Sequence, residues 1–485
     1  MKSKKGRHAP LRLMAHAICT AIVTMLATPV GAADVATSSA ARTGTINTNT
    51  NTATPSLTAD LSEPRELTPL GGRLLFVGYA PALSQALFGV SKTTGAVERL
   101  GAVAPEFRGA FPSGLVRFKD AVYFAMNDGV SGFELWASDG TPAGTRQVLD
   151  IEPGAGDSIP AGMTVFDGQL YFSARRGTDV PRLWATRGDG ASTTPVAGAA
   201  ALANPRQFTV AGGRLYFTAG DPEHGQELWT IDRGGAAPRL VRDVRSGPED
   251  SNIAQLTAVG NTLYFAANDG RHGVELWKTD GSSTGTTMVK DIRPGIDASR
   301  PNYLTAVGPW LYFAADDGTH GIELWRSNGS PAGTSLVMDI QPGAGHSGVA
   351  YMTAVGNAAW FTATNGRDGL ELWRSDATTG RTAMVADLLP GAEGSLPNHL
   401  ARIGDRLYFS AIDGTREQQP WRSDGTASGT VRIGQPNDAL GLPYASRFTA
   451  FGDAVAFVAR DASGKERLWL VDAAGAVRRL GAEGP

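Results

Sequence analysis

Cysteine is nearly missing: the 485 residues hold one, Cys19, and it lies in an apolar segment near the N-terminus. A chain cleaved after that segment keeps no thiol, so disulfides and thiolate chemistry are both excluded from the mature protein. Charge is also sparse, at 19% of residues with a formal net charge of −3. No basic block occurs beyond the N-terminus, so the electrostatic footprint of a nucleic-acid binder is absent. No nucleophile elbow, phosphate loop or dinucleotide fingerprint appears in a strand-turn-helix setting, and no His-Glu-x-x-His pair appears at all. What the chain holds in excess is glycine (61) and proline (28), a composition suited to many turns.

The N-terminus reads as a targeting segment. Lys2, Lys4, Lys5, Arg7 and Arg12 precede an apolar stretch from Leu13 to about Ala27, and Val30-Gly31-Ala32 offers small residues for cleavage. His16, Thr20 and Thr24 interrupt the stretch and make it a poor permanent span. Residues 1–33 are therefore expected to be a signal peptide, with no membrane span in the mature chain. Their loss takes the formal charge from −3 to −8. Residues 34–56, rich in Ser, Thr, Ala and Asn, hold little to bury and read as a flexible linker.

Residues 57–485 repeat. Phe88, Trp136, Trp184, Trp229, Trp277, Trp325, Trp373, Trp421 and Trp469 are each 48 residues apart, except Trp184 to Trp229, which is 45. Each unit holds four apolar runs of strand length. In one unit they are Leu256–Gly260, Leu263–Ala267, Val274–Thr279 and Thr286–Ile292, separated by Asn, Asp, Gly and Pro turns. The second run is apolar on both faces, as in Leu311-Tyr312-Phe313-Ala314-Ala315. A strand covered on both sides fits a blade packed between two others. The expectation is an all-β single propeller of nine four-stranded blades, with eight as the alternative. Leu57–Leu61 could pair with the last blade and close the ring.

Glu134-Leu135-Trp136-Ala137-Ser138-Asp139-Gly140-Thr141 recurs at Glu275 to Ser282, Glu323 to Ser330, Glu371 to Thr378 and, in part, Trp421 to Thr426. This resembles the bacterial ELWxxDGT repeat family of exported proteins. The resemblance covers nearly all of the chain after the linker. It implies an exported repeat protein and brings no reaction or ligand. The first, third, eighth and ninth units depart from it, with Ala86, Arg182, Gln419 and Arg467 where the others carry Glu.

The motif residues read as structural. The aromatic residues Trp136 through Trp469 sit in register in almost every unit and are assigned to packing between blades. Glu134, Glu227, Glu275, Glu323 and Glu371 recur too evenly for catalytic acids, and each needs hydrogen-bond donors if buried. Asp139, Asp280, Asp376 and Asp424 sit in hairpin turns resembling the Asp-box of sialidase-type propellers, where Asp caps backbone N–H groups. Calcium at these turns is the functional alternative, and no other cofactor is expected. His224, His272 and His320 recur in three consecutive units. A spacing of at least ~10 Å between blades is too wide for shared zinc ligation.

The uniform units favour a non-catalytic exported scaffold, a monomer that binds protein or glycan through blade loops at the cell surface, in the periplasm or outside the cell. The alternative is a secreted polysaccharide hydrolase or lyase with its site at the channel mouth. Its support is the irregular stretch Gln435 to Arg447 and the loop Glu417 to Pro420. Unlike polar residues converging on the channel would favour the enzyme.

Overall fold

The computed structural model describes residues 61–81, 84–101, 110–177, 180–235, 237–414, 417–434 and 442–481. The leader, the linker and Leu57–Asp60 lie outside them. The described residues form nine four-stranded antiparallel sheets and no helix. Within each sheet the strands follow chain order, so every blade is an uninterrupted piece of sequence. Blade five is representative, with strands Ala254–Val259, Thr262–Asn268, Val274–Thr279 and Thr287–Lys290. The nine first strands touch in succession, and the first strand of blade one (Ser62–Leu70) meets that of blade nine (Ser446–Phe451). The blades thus form a closed nine-bladed propeller around a channel walled by first strands.

Nine apolar clusters hold the ring, one at each junction between blades. Leu75 and Leu87 of blade one pack with Phe124 and Trp136 of blade two. Tyr264 and Leu276 of blade five pack with Phe313 and Trp325 of blade six. Small residues let the sheets approach, as at Ala266, Ala267, Ala314 and Ala315, all nearly inaccessible. Among the described residues the last junction closes the ring by side-chain packing. Leu74, Phe76, Phe88 and Val90 pack with Phe451, Ala456, Leu468 and Leu470. Leu61 joins this cluster, and its carbonyl accepts a hydrogen bond from the Arg467 guanidinium.

The third-strand glutamates explain how one blade is joined to the next. Glu134, in the third strand Phe133–Ser138, is wholly buried. Its carboxylate accepts from Ile151 N (2.8 Å), Glu152 N (3.2 Å), Ser158 N (3.1 Å) and Ser158 Oγ (2.7 Å). Those donors lie in the link to the following blade, not in a neighbouring hairpin. Glu275 holds Ile292 N and Ser299, Glu323 holds Ile340 N, Gln341 N and Ser347 N, and Glu371 holds Leu388 N and Ser395 in the same way. The link has no ladder partners, and the carboxylate supplies the acceptors that its buried N–H groups need.

Three of the four departures keep a link contact, Arg182 and Arg467 by reversing its polarity and Gln419 as an acceptor, while Ala86 offers no polar group. In blade three Arg182 donates to the carbonyls of Ala200 (2.9 Å) and Leu202 (3.2 Å) in the shorter link. In blade nine Arg467 donates to Leu61 and pairs with Asp461 at 2.8 Å. In blade eight the Gln419 side-chain carbonyl accepts from Leu442 N at 3.2 Å.

Replacing Glu323 by Ala leaves the Ile340 and Gln341 N–H groups of the link after blade six without acceptors, while Ser347 N keeps the Ile322 carbonyl. The expected loss is about 2–4 kcal/mol in urea unfolding, read from the midpoint. A loss under about 1 kcal/mol would mean that something else holds the link.

Candidate functional site

Each first strand runs from the link face of the disc to the opposite face, and each carries a bulge on the way. In blade two Ser113 faces Ala125 and Val116 faces Tyr123, so three steps on one strand match two on its partner. The same shift occurs in blade five between Ala254 and Thr257, and in blade seven between Ala350 and Thr353. A bulge of this kind places one residue in the left-handed region and re-aims its side chain.

The bulge residues form a ring: Glu66, Gly114, Gly162, Gln207, Gln255, Tyr303, Tyr351, His399 and Arg447. Their φ values run from 52° to 70°. A second left-handed residue lies three positions earlier in every blade, at Glu63, Phe111, Ile159, Asn204, Asn252, Arg300, Gly348, Leu396 and Tyr444. A non-glycine residue held there costs on the order of 1 kcal/mol, and nine blades tolerate it. Successive first strands are stitched by side chains. Leu115 N donates to Glu66 Oε2 (3.0 Å), Gln207 Nε2 to Ile253 O (3.0 Å) and Thr257 Oγ1 to Leu304 O (3.2 Å).

The ring divides into sectors of different chemistry. Blades two and three present glycine, four and five amides, and six and seven phenols. Blades eight, nine and one present imidazole, guanidinium and carboxylate in succession. Neighbouring members sense one another. Burial raises the Tyr303 phenol, and Tyr351 beside it raises it further. Burial lowers the His399 imidazole, and the Arg447 charge lowers it again. His399 is open to channel water yet walled by protein, so its neutral form is favoured. The Arg447 that ends the irregular stretch Gln435 to Arg447 is a ring member, while 435–441 lie outside the described residues. The expected loop Glu417 to Pro420 is instead the start of the third strand of blade eight, Gln418–Ser423, and Gln419 and Pro420 are buried in it.

The residues singled out by the repeat motif sit elsewhere. Trp136, Trp184, Trp277, Trp325, Trp373, Trp421 and Trp469 are buried at the blade junctions, and Trp229 is half-buried at its own. Asp139, Asp280, Asp376 and Asp424 cap N–H groups two residues on, at 2.8–3.0 Å, in turns on the disc face opposite the links. Arg73 Nη1 of blade one reaches Gly140 O of one such turn at 2.8 Å. His224, His272 and His320 each bond through Nδ1 to the Asp three residues before, within one turn. Among the described residues no group of three His, Cys, Asp or Glu side chains is placed to hold a metal ion. Burial pushes the carboxyls of Glu134, Glu227, Glu323 and Glu371 up to about 7, against the pull of their donors. They are sealed within the blades and reach no open space.

No family model matches the chain, and no curated protein matches it. Solved structures do. A puromycin hydrolase is 16% identical with a TM-score of 0.41, over 86% of this chain and 60% of that one. A puromycin-hydrolyzing peptidase of Mycobacterium tuberculosis is 12% identical with a TM-score of 0.41, over 84% and 59%. A prolyl endopeptidase is 12% identical with a TM-score of 0.43, over 87% and 55%. The chain thus spans under two thirds of the length of these structures, and a likeness at these values transfers no activity to it.

The expectation of a non-catalytic scaffold working through uniform blade loops is corrected. The polar groups do not merely repeat around the rim: the channel gathers nine positions whose chemistry changes from sector to sector. Sequence reading missed the ring because it looked for residues that recur. The signal was the reverse, a position just before the first apolar run that keeps the 48-residue spacing and varies in kind.

The imidazole of His399 is expected to titrate with a midpoint below 6.5 when followed by NMR, and Arg447→Ala should move the midpoint upward. The neutral form is favoured on folding, so its contribution to stability is lost as pH falls through that midpoint. A midpoint at or above 6.5 would show that channel water solvates the ring fully.

Proposed function

We propose that the chain is an exported hydrolase, or the propeller portion of one, that takes its substrate at the channel ring. The observation that carries this reading is the sector where His399 and Arg447 occupy equivalent ring positions in adjacent blades. A neutral imidazole accepts a proton from water, and a guanidinium beside it stabilises the negative oxygen formed when that water adds to an acyl carbon. Both groups are fixed by backbone bulges in closed sheet, which favours preorganisation.

An acyl bond fits this sector better than a glycosidic one. Glycoside hydrolysis needs two carboxyl groups flanking the bond. The carboxylates of the two rings are Glu63 and Glu66, three residues apart on one strand of blade one. Export rests on the basic, apolar and small-residue order of residues 1–33, and membership of the ELWxxDGT family on the recurring Glu-Leu-Trp strand and the Asp-Gly turn after it. Among the described residues no helix is long and apolar enough to cross a membrane.

The test is hydrolysis of chromogenic esters and anilides by the purified chain. His399→Ala should lower kcat by about 10²-fold or more, and Arg447→Ala should lower it without weakening a neutral substrate's binding equally. Turnover that is undetectable, or that survives His399→Ala unchanged, overturns the proposal.

A further inference from the structure

The two ring glycines are not there for the backbone. A glycine at positive φ is ordinarily explained by the freedom it gives the chain. Here seven of the nine equivalent positions carry side chains at φ values between 52° and 61°. Gly114 (φ 70°) could therefore be Glu, Gln, Tyr, His or Arg without a change of fold, whereas a side chain at Gly162 (φ 66°) would also have to displace the Phe208 ring. Their effect is to remove side chains from the channel wall in two adjacent blades. A Cβ added at Gly114 would meet nothing within 4 Å, and one at Gly162 would lie 3.0 Å from the Phe208 ring.

The space left is an open recess of about 490 Å³ in the channel wall against blades one to four, wide enough for a small organic molecule. Leu67, Leu115, Val116, Met163 and Phe208 make most of its wall, with hydroxyls from Thr68 and Thr164 and an amide from Gln207. One lining residue is charged, Glu66. Its Oε2 accepts from Leu115 N, while its other oxygen accepts no hydrogen bond from the described residues. A lone carboxylate beside an apolar wall selects a cation that carries an apolar body.

We infer that the glycine sector binds an organic ammonium ion, its nitrogen at Glu66 and its apolar part in the space that Gly114 and Gly162 leave open. This deepens the proposed function by naming a substrate group, and it rests on the channel as the ligand site but not on hydrolysis. The carboxylate sector and the His399–Arg447 sector are neighbours around the ring, because blade one adjoins blade nine. A substrate held by its amine in the glycine sector would lie next to the sector that acts on it.

The test uses benzylamine, with benzyl alcohol and benzoate as neutral and anionic probes of similar shape, titrated calorimetrically against the full chain at pH 7. Benzylamine should bind, and the two controls should bind at least tenfold more weakly. Glu66→Gln should weaken benzylamine tenfold or more. Gly114→Gln places in blade two the residue that blades four and five carry, and it should abolish binding while thermal unfolding stays within a few degrees. Equal binding of all three probes, or benzylamine affinity unchanged by Glu66→Gln and Gly114→Gln, overturns the inference. His399→Ala separates the two readings. Loss of turnover with intact benzylamine binding supports both, benzylamine binding without turnover leaves this inference standing alone, and turnover without benzylamine binding removes it.

Discussion

A buried third-strand side chain that satisfies the backbone of the following link is the constraint on which this propeller depends. A link between blades must leave one sheet and enter the next, and it passes through a region with no ladder to pair its N–H groups. Glu134, Glu275, Glu323 and Glu371 answer that need with carboxylates holding two or more link donors each. Burying a carboxylate is costly, and the bonds it accepts offset the cost only together. The serine that ends the set, such as Ser158 or Ser299, is wholly inaccessible, so the device leaves no room for water to substitute.

Placement of the link decides placement of the first strand. The latched serine lies three residues before that strand's start in blades three, six, seven and eight, as with Ser158 before Ala161 and Ser395 before Asn398. Once the strand enters the ring at a fixed height, its bulge presents one left-handed residue to the channel at a fixed depth. Nine repetitions give a ring whose backbone is uniform and whose side chains are free to differ. Uniformity in the latch and the junction aromatics is what permits variety at the ring, because the blades are joined by those contacts and ring side chains such as Glu66 and Gln207 add only single hydrogen bonds to them.

The architecture was legible in the residues themselves. The 48-residue spacing of the aromatic positions, the four short runs and the Asp-Gly turns specify four-stranded blades, and nine of them appear as nine sheets. The aromatic residues pack at the junctions, where their register with leucine placed them. The glutamates hold the links to the following blades, a partner that spacing alone does not identify. Arg182 and Arg467 looked like losses of the motif and are conversions of it, since a donor in place of an acceptor finds carbonyls instead of N–H groups.

The sequence by itself determined the repeat, the strand pattern and the residues that pack or turn, because those depend on neighbours a few positions away and on a period that can be counted. Only the closed ring decided what the channel presents. Glu66 and Arg447 are at opposite ends of the described chain, and they share one wall because blade nine packs on blade one. The open side of that wall could not be read from Gly114 and Gly162 either. A glycine in sequence announces conformational freedom, and it takes seven substituted equivalents at the same φ to show that these two supply room.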